Sequence, residues 1–214
     1  MALVALIDYG MGNLHSAAKA LERVAPPATR IRLCTRPEDL AEADRVVFPG
    51  VGAIRDCMAA LRRQGLDQAL REAAVRIPVL GICVGMQALM EHSEENQGVD
   101  GLGILPGRVC RFPEAMEEGG VRLKIPHMGW NQVHQTRSHP LWSHIPQDSR
   151  FYFVHSYYVT PAEERLTLGV THYGIPFTSA VARDNVAAVQ FHPEKSQRHG
   201  LALLANFITW NGQT

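Results

Sequence analysis

The segment Gly81-Ile82-Cys83-Val84-Gly85-Met86-Gln87 sets a cysteine between glycines where a short apolar run passes into a helical pattern. A sharp strand-to-helix turn forces its central residue into strained backbone angles and brings the flanking backbone close. It therefore needs small neighbours, and Gly81 and Gly85 supply them. Cys83 in such a turn stands at the N-terminus of the helix that begins near Val84. Free N–H groups and the helix dipole there favour a thiolate and bind developing negative charge. That is the position of a thiol nucleophile. A lone cysteine in a soluble chain is more commonly a small buried apolar residue, so partners elsewhere must decide. Cys34, Cys57 and Cys110 have no comparable context and are assigned no role.

A nucleophilic cysteine needs a base within hydrogen-bond reach and a third group to orient that base. Among 10 histidines, His192 ends the apolar run Val186-Ala187-Ala188-Val189-Gln190-Phe191 and is followed by Pro193 and Glu194. Proline stops a strand ladder and holds the turn after it. His192 and Glu194 then lie at one strand end, where the carboxylate can bind one ring nitrogen and present the other to sulfur. His155 is the second candidate base, since it closes the run Phe151-Tyr152-Phe153-Val154. Either histidine reads equally as a packed or capping residue. A third loop, Pro49-Gly50-Val51-Gly52-Ala53, follows a strand pattern and precedes a helical one. Its glycines permit unusual backbone angles, so peptide N–H groups here could complete an oxyanion hole with the N–H of Val84. Taken alone it is also an ordinary tight turn, and without a following Gly-Lys-Ser/Thr it is incomplete as a phosphate loop.

The elements that must position these groups read as an α/β fold. Short β-branched runs over residues 3–7, 30–34, 45–48 and 78–82 alternate with helical patterns over 13–24, 54–63 and 66–76. That alternation predicts an open, mostly parallel, doubly wound sheet flanked by helices. Beyond Gly98 the pattern changes to short runs separated by glycine and proline, over 108–112, 121–125, 131–134, 151–158, 168–172, 179–182 and 186–191, which predicts an added mixed or antiparallel region. A last helix over 197–210 places Leu201, Leu204 and Ile208 on one face. Residues 113–120, with Glu114, Glu117, Glu118 and two glycines, read as an exposed hairpin loop.

The 214 residues are enough for one substantial core, and a single domain over 1–214 is expected. With 21 basic and 21 acidic residues the formal net charge is zero, which gives no support to a nucleic-acid or membrane-surface partner. The longest apolar runs fall far short of the roughly 20 residues that span a bilayer. The N-terminus lacks the basic leader and cleavage site of a signal peptide. The four cysteines contain no Cys-x-x-Cys pair, so no metal site, cofactor or disulfide framework is expected and a reducing cytoplasm is the natural setting.

Taken together, the loop at Gly50, Val51 and Gly52, the Cys83 elbow and the Phe191-His192-Pro193-Glu194 turn resemble the class I, or triad, glutamine amidotransferases over nearly the whole chain. The resemblance implies Cys83 as nucleophile, His192 as base and Glu194 as orienting carboxylate, with no cofactor. It places Val51, Gly52 and Val84 at an oxyanion hole, and Gly50, Gln87, Glu95, His155, Ser156 and Tyr157 around L-glutamine. Within that family, four further segments resemble the branch that serves imidazole glycerol phosphate synthase. They are Asp8-Tyr9-Gly10-Met11-Gly12-Asn13, Pro126-His127-Met128-Gly129-Trp130-Asn131, His155-Ser156-Tyr157 and His192-Pro193-Glu194-Lys195-Ser196.

This closer resemblance implies a cyclase subunit as heterodimer partner, receiving ammonia for histidine biosynthesis and meeting this chain at Asn13, Pro126, Met128, Trp130 and Lys195. Met128 and Trp130 then form an exposed apolar patch on a loop; core packing is the alternative for Trp130. The family usually carries phenylalanine where Ile54 stands, a departure that bears on packing below the glycine loop. A subunit for another acceptor such as chorismate would keep the triad but lack the segments at residues 8–13 and 126–131. A non-catalytic binding subunit or a cysteine peptidase would fit the same fold less well, given the intact cysteine, histidine and glutamate.

Overall fold

Val4, Ala5, Leu6 and Ile7 are all inaccessible to solvent, as are Val46, Val47, Phe48, Val79 and Leu80. Unbroken apolar runs of this kind belong to strands covered on both faces. The computed structural model describes residues 2–11 and 14–213. Its first part alternates β1 (Ala2–Ile7), α1 (Leu14–Val24), β2 (Thr29–Cys34), α2 (Pro37–Ala41), β3 (Arg45–Gly50), α3 (Ile54–Gln64), α4 (Leu66–Arg76), β4 (Val79–Cys83) and α5 (Val84–Ala88). Two short strands follow, β5 (His92–Ser93) and β6 (Val99–Asp100), then β7 (Gly107–Arg111) and the hairpin of β8 (Glu117–Glu118) and β9 (Val121–Arg122). The rest comprises β10 (His127–Gln135), β11 (Ser149–His155), β12 (Tyr157–Pro161), β13 (Thr167–Tyr173), β14 (Ile175–Arg183), β15 (Val186–Val189) and α6 (Gln197–Thr209).

Strands β2, β1, β3, β4 and β15 lie side by side in parallel, and β14, β12 and β7 continue the sheet in antiparallel pairing. Helix α1 packs with α6, while α2 and α3 each pack against α4. The expected α/β architecture, with its antiparallel extension, is the one observed. The fifth parallel strand comes from the far end of the sequence, and its register matters for chemistry. Val189 lies opposite Ile82, and Gly50 lies opposite Cys83. The carboxyl ends of β3, β4 and β15 therefore coincide, at the edge where open α/β sheets gather ligand-binding groups. Among the described residues no helix is long and apolar enough to cross a membrane.

Several boundaries differ from expectation, each because of long-range pairing. The run at 151–158 is two strands broken at Ser156: β11 pairs with β10, whereas β12 pairs with β7 and β14. The segment 126–131, expected as a loop, is mostly the start of β10, held by β11 from His127 onward. Its alternation turns Met128 and Trp130 outward, 62% and 39% exposed, and His127 inward, so Trp130 does not pack in the core. The strand expected over 121–125 shrinks to two residues paired with Glu117 and Glu118, and the tight turn between them uses Gly119 and Gly120 at positive φ. Helix α2, opened by Pro37, has no counterpart in the sequence reading. Asn13 lies outside the described residues.

The junction of β4 and α5 is packed too closely for side chains. A Cβ on Gly85 would lie 1.9 Å from the Phe48 carbonyl oxygen. Gly85→Ala should therefore lower the urea midpoint by the equivalent of about 1–3 kcal/mol. Val75→Ala, at an exposed helix position, should stay within about 0.5 kcal/mol of the parent. An unchanged midpoint for Gly85→Ala would contradict the packing described.

Candidate active site

Cys83 adopts φ 55° and ψ −112°, outside the backbone regions that L-residues ordinarily occupy. Its neighbours make room: a Cβ on Gly50 would lie 2.7 Å from the Gly85 nitrogen, and one on Gly81 would lie 2.8 Å from Leu89 Cδ1. The sulfur is nearly buried, with Gln190 Nε2 at 3.7 Å and the Val154 carbonyl oxygen at 4.0 Å. The helix after it, α5, has only five residues. That is less than two turns, so the electrostatic help expected of a helix reduces to the first peptide N–H groups.

His192 stands three residues beyond β15 and caps a 3₁₀ turn, Pro193–Lys195. Its N–H donates to the Tyr152 carbonyl at 2.9 Å. Ser196 Oγ donates to the His192 carbonyl at 2.6 Å and accepts from the Tyr152 N–H at 2.9 Å, which straps the turn to β11. The imidazole Nδ1 lies 2.8 Å from Glu194 Oε1, and both side chains are buried. Nε2 is also buried and has no hydrogen-bond partner in the protein. Burial on its own would lower the His192 pKa, but the adjacent Cys83 sulfur and the Glu194 carboxylate outweigh it and lift the pKa to about 10. This imidazole is built to hold a proton beside a sulfur.

His155, the other candidate base, is arranged in the opposite sense. Its Nδ1 lies 2.8 Å from the Tyr157 carbonyl oxygen and its Nε2 3.0 Å from His127 Nδ1. Both ring nitrogens are engaged, and burial pushes its pKa down to about 3 against the pull of the Tyr157 carbonyl. A base role for His155 is therefore ruled out by geometry.

Cys83 and His192 open onto a cavity of about 410 Å³, also lined by Val51, Gly52, Val84, Gln87, Glu95, Pro126, Val154, His155, Ser156, Tyr157 and Lys195. The structure thus brings together the expected groups, with informative exceptions. Gly50 is not in the lining: it is buried against Gly85 and Val84. Glu95 Oε2 accepts the N–H of Ile54 at 2.9 Å, so one carboxylate oxygen caps α3. Gln87 Nε2 donates to the Tyr157 carbonyl and to Gln190 Oε1, both at 3.1 Å. Lys195, expected at a partner surface, is exposed at the cavity rim with its Nζ 6.0 Å from the Tyr152 ring centroid. Met128 and Trp130 lie on the outer face of β10, away from the lining.

Three residues to which the sequence reading gave no site role of their own join this site. Gln190 reaches the sulfur from just beyond β15; alternation along 186–191 offers no signal for it. His127 backs His155. Tyr9 lies under the glycine loop, its hydroxyl 3.0 Å from where a Gly50 Cβ would sit. Burial raises the Tyr9 pKa, Cys57 adds to that, and the Val51 peptide N–H pulls the other way without reaching hydrogen-bond geometry.

Residues 5–210 match the family model described as glutamine amidotransferase class-I. The chain is 61% identical over 212 residues to imidazole glycerol phosphate synthase subunit HisH of Nitrosococcus oceani, covering 99% of both chains. It is 58% identical over 213 residues to imidazole glycerol phosphate synthase subunit HisH 1 of Pseudomonas aeruginosa, covering 100% of this chain and 99% of the relative. Among solved structures it is similar to PurLQS from Thermotoga maritima, with TM-score 0.74 at 14% identity and coverage of 96% and 97%. A glutamine amidotransferase matches with TM-score 0.70 at 17% identity and coverage of 94% and 98%. At these identities the structural likeness speaks to the fold.

The geometry predicts that Glu194→Gln, which keeps the shape but removes the charge, lowers the NMR titration midpoint of His192 by roughly 1–3 units. The direction follows because burial then acts with less opposition. An unmoved midpoint would show that Glu194 does not set the imidazole's charge.

Proposed function

The chain belongs to the class-I glutamine amidotransferases, and from that membership we propose that it hydrolyses L-glutamine at Cys83 as the glutaminase subunit of an imidazole glycerol phosphate synthase. The observation that carries this reading is the buried Cys83, His192 and Glu194 group, with one imidazole nitrogen on the carboxylate and the other left to the sulfur. In this mechanism the Cys83 thiolate adds to the amide carbon of glutamine. The imidazolium of His192 gives its proton to the departing nitrogen, ammonia leaves, and a glutamyl thioester remains. Neutral His192 then takes a proton from water as that water adds to the thioester, and the thiolate departs as glutamate forms. Glu194 keeps the ring oriented and its charge balanced throughout.

Both tetrahedral states carry an oxyanion, for which the N–H groups of Val84, Gly52 and Val51 are the donors on hand. Gly52 sits at φ +82°, a region open to glycine, and no hydrogen bond holds the Val51 N–H to the Tyr9 hydroxyl. A backbone change over residues 50–52 is therefore our reading of how the hole is completed. Gln87, Glu95 and the Ser156 and Tyr157 wall hold the substrate. Ammonia released into water would be protonated, which gives a direct passage to a cyclase partner its chemical sense. The exposed Met128 and Trp130, with Pro126 and Lys195 at the cavity rim, are the surface we assign to that partner. Asn13 is assigned to it from sequence alone. The free Cys83 thiol suits a reducing cytoplasm.

Cys83→Ala should reduce glutamine turnover by a factor on the order of 10⁴ or more while leaving ammonium-dependent synthesis by the complex intact. Retained glutaminase activity would sink the assignment. Adding the cyclase and its acceptor should raise glutamine turnover by the parent, and an unchanged rate would count against a switch over residues 50–52.

A further inference from the structure

Two buried histidines take no part in the proton transfers: His155 lines the cavity beside Tyr157, and His127 stands behind it. His127 is 3% exposed and His155 5%. The His127 ring is sandwiched between Tyr173 and Phe153, with centroids 4.1 and 4.8 Å away and both interplanar angles 28°. The hydrogen bonds around the pair have only one consistent polarity. Asn131 Nδ2 donates to the His172 carbonyl at 2.8 Å, and Asn131 Oδ1 accepts the Gln132 N–H at 2.8 Å, which fixes the orientation of the amide. The same Nδ2 lies 3.2 Å from His127 Nε2, so that ring nitrogen accepts.

The hydrogen of a neutral His127 must then sit on Nδ1, from which it is donated to His155 Nε2 at 3.0 Å. His155 in turn carries its hydrogen on Nδ1 and donates it to the Tyr157 carbonyl at 2.8 Å. That carbonyl also accepts from Gln87 Nε2, which bridges to Gln190 and, through Gln190 Nε2, to the sulfur of Cys83. A second proton on either ring would set two donors face to face. Burial, which lowers the pKa of His127 to about 4 and of His155 to about 3, keeps both rings neutral.

We propose that His127 and His155 are positioning residues for the amide substrate, forming a hydrogen-bonded chain of fixed direction from Asn131 on β10 to the Tyr157 and Gln87 wall. The chain starts on the strand whose outer face presents Met128 and Trp130, so it also ties that face to the cavity. With the Tyr157 carbonyl filled by two donors and the Gln87 nitrogen spent on Tyr157 and Gln190, Gln87 offers the substrate its amide oxygen. The substrate named here rests on the glutaminase reading; the polarity of the chain does not.

The test combines imidazole ¹⁵N NMR of the parent with glutamine kinetics of variants in the complex at saturating partner. The spectrum should show both histidines as Nδ1–H tautomers, the minor form of free imidazole side chains; an Nε2–H form at either position would overturn the proposal. His127→Phe keeps the ring sandwich and removes the donor to His155. Its KM for glutamine should rise about tenfold, the loss of roughly one hydrogen-bonded contact, with kcat within about threefold of the parent.

His127→Asn, whose Nδ2 takes the place of Nδ1, should recover most of the KM. A folded His127→Phe variant with parental KM, or one whose kcat falls while KM holds, would overturn the proposal. If His127→Phe does not fold, Asn131→Ala breaks the chain at its first donor and the same KM rise is expected of it. A parent that binds and turns over no glutamine would overturn the glutaminase reading and this choice of substrate, while the tautomers would still report whether the chain exists.

Discussion

Cys83 is held at φ 55° and ψ −112°, a conformation that costs an L-residue on the order of 1–3 kcal/mol, and much of the surrounding fold exists to keep it there. β4 delivers the residue from a strand buried on both faces, and α5 takes the chain away at once. Gly50, Gly81 and Gly85 let the Phe48 to Gly50 backbone, the elbow and Leu89 come within distances that any side chain would forbid. The strain is local, whereas the contacts that over-determine it come from three separate segments. This is how a packed interior sustains an outlier that no short peptide would adopt.

The two histidines of the cavity show how the same side chain is set to opposite tasks by its neighbours. Both are buried, and burial favours the neutral ring. At His192 a carboxylate 2.8 Å away and the Cys83 sulfur reverse that preference. At His155 the neighbours are a carbonyl, whose pull toward the charged ring does not offset burial, and another neutral imidazole, and the preference stands. A cavity with one ring charged and one ring neutral separates proton transfer from substrate orientation. The parallel register of β3, β4 and β15 makes this possible by ending all three strands at one edge.

Much of this was legible in the residue pattern because local chemistry dictated it. Glycines around Cys83 announce a tight turn, Pro193 announces the end of β15, and unbroken apolar runs announce a sheet covered on both faces. What escaped depends on which strand pairs with which. Nothing near Ser156 signals that the chain changes partners there, from β10 on one side to β7 and β14 on the other. The segment at 126–131 reads as a loop because Pro126 and Gly129 suggest one, but β11 supplies a ladder that extends it as a strand. Gln190, His127 and Tyr9 belong to runs whose local pattern says only strand or turn, and their roles come from neighbours distant in sequence. Gly50 shows the converse: its type was read as a contribution to the cavity, whereas its lack of a side chain serves the packing beneath it.

The central claim is that one sulfur, at Cys83, is the atom that meets the glutamine amide carbon. Its most direct test is covalent labelling by an electrophilic ketone analogue of glutamine, with and without glutamine as competitor, followed by peptide mapping. A single modified peptide should carry the label on Cys83, protected by glutamine and formed more slowly in Glu194→Gln. Labelling at Cys34, Cys57 or Cys110 with equal glutamine protection, or no labelling of Cys83 in a chain that still turns over glutamine, would contradict it.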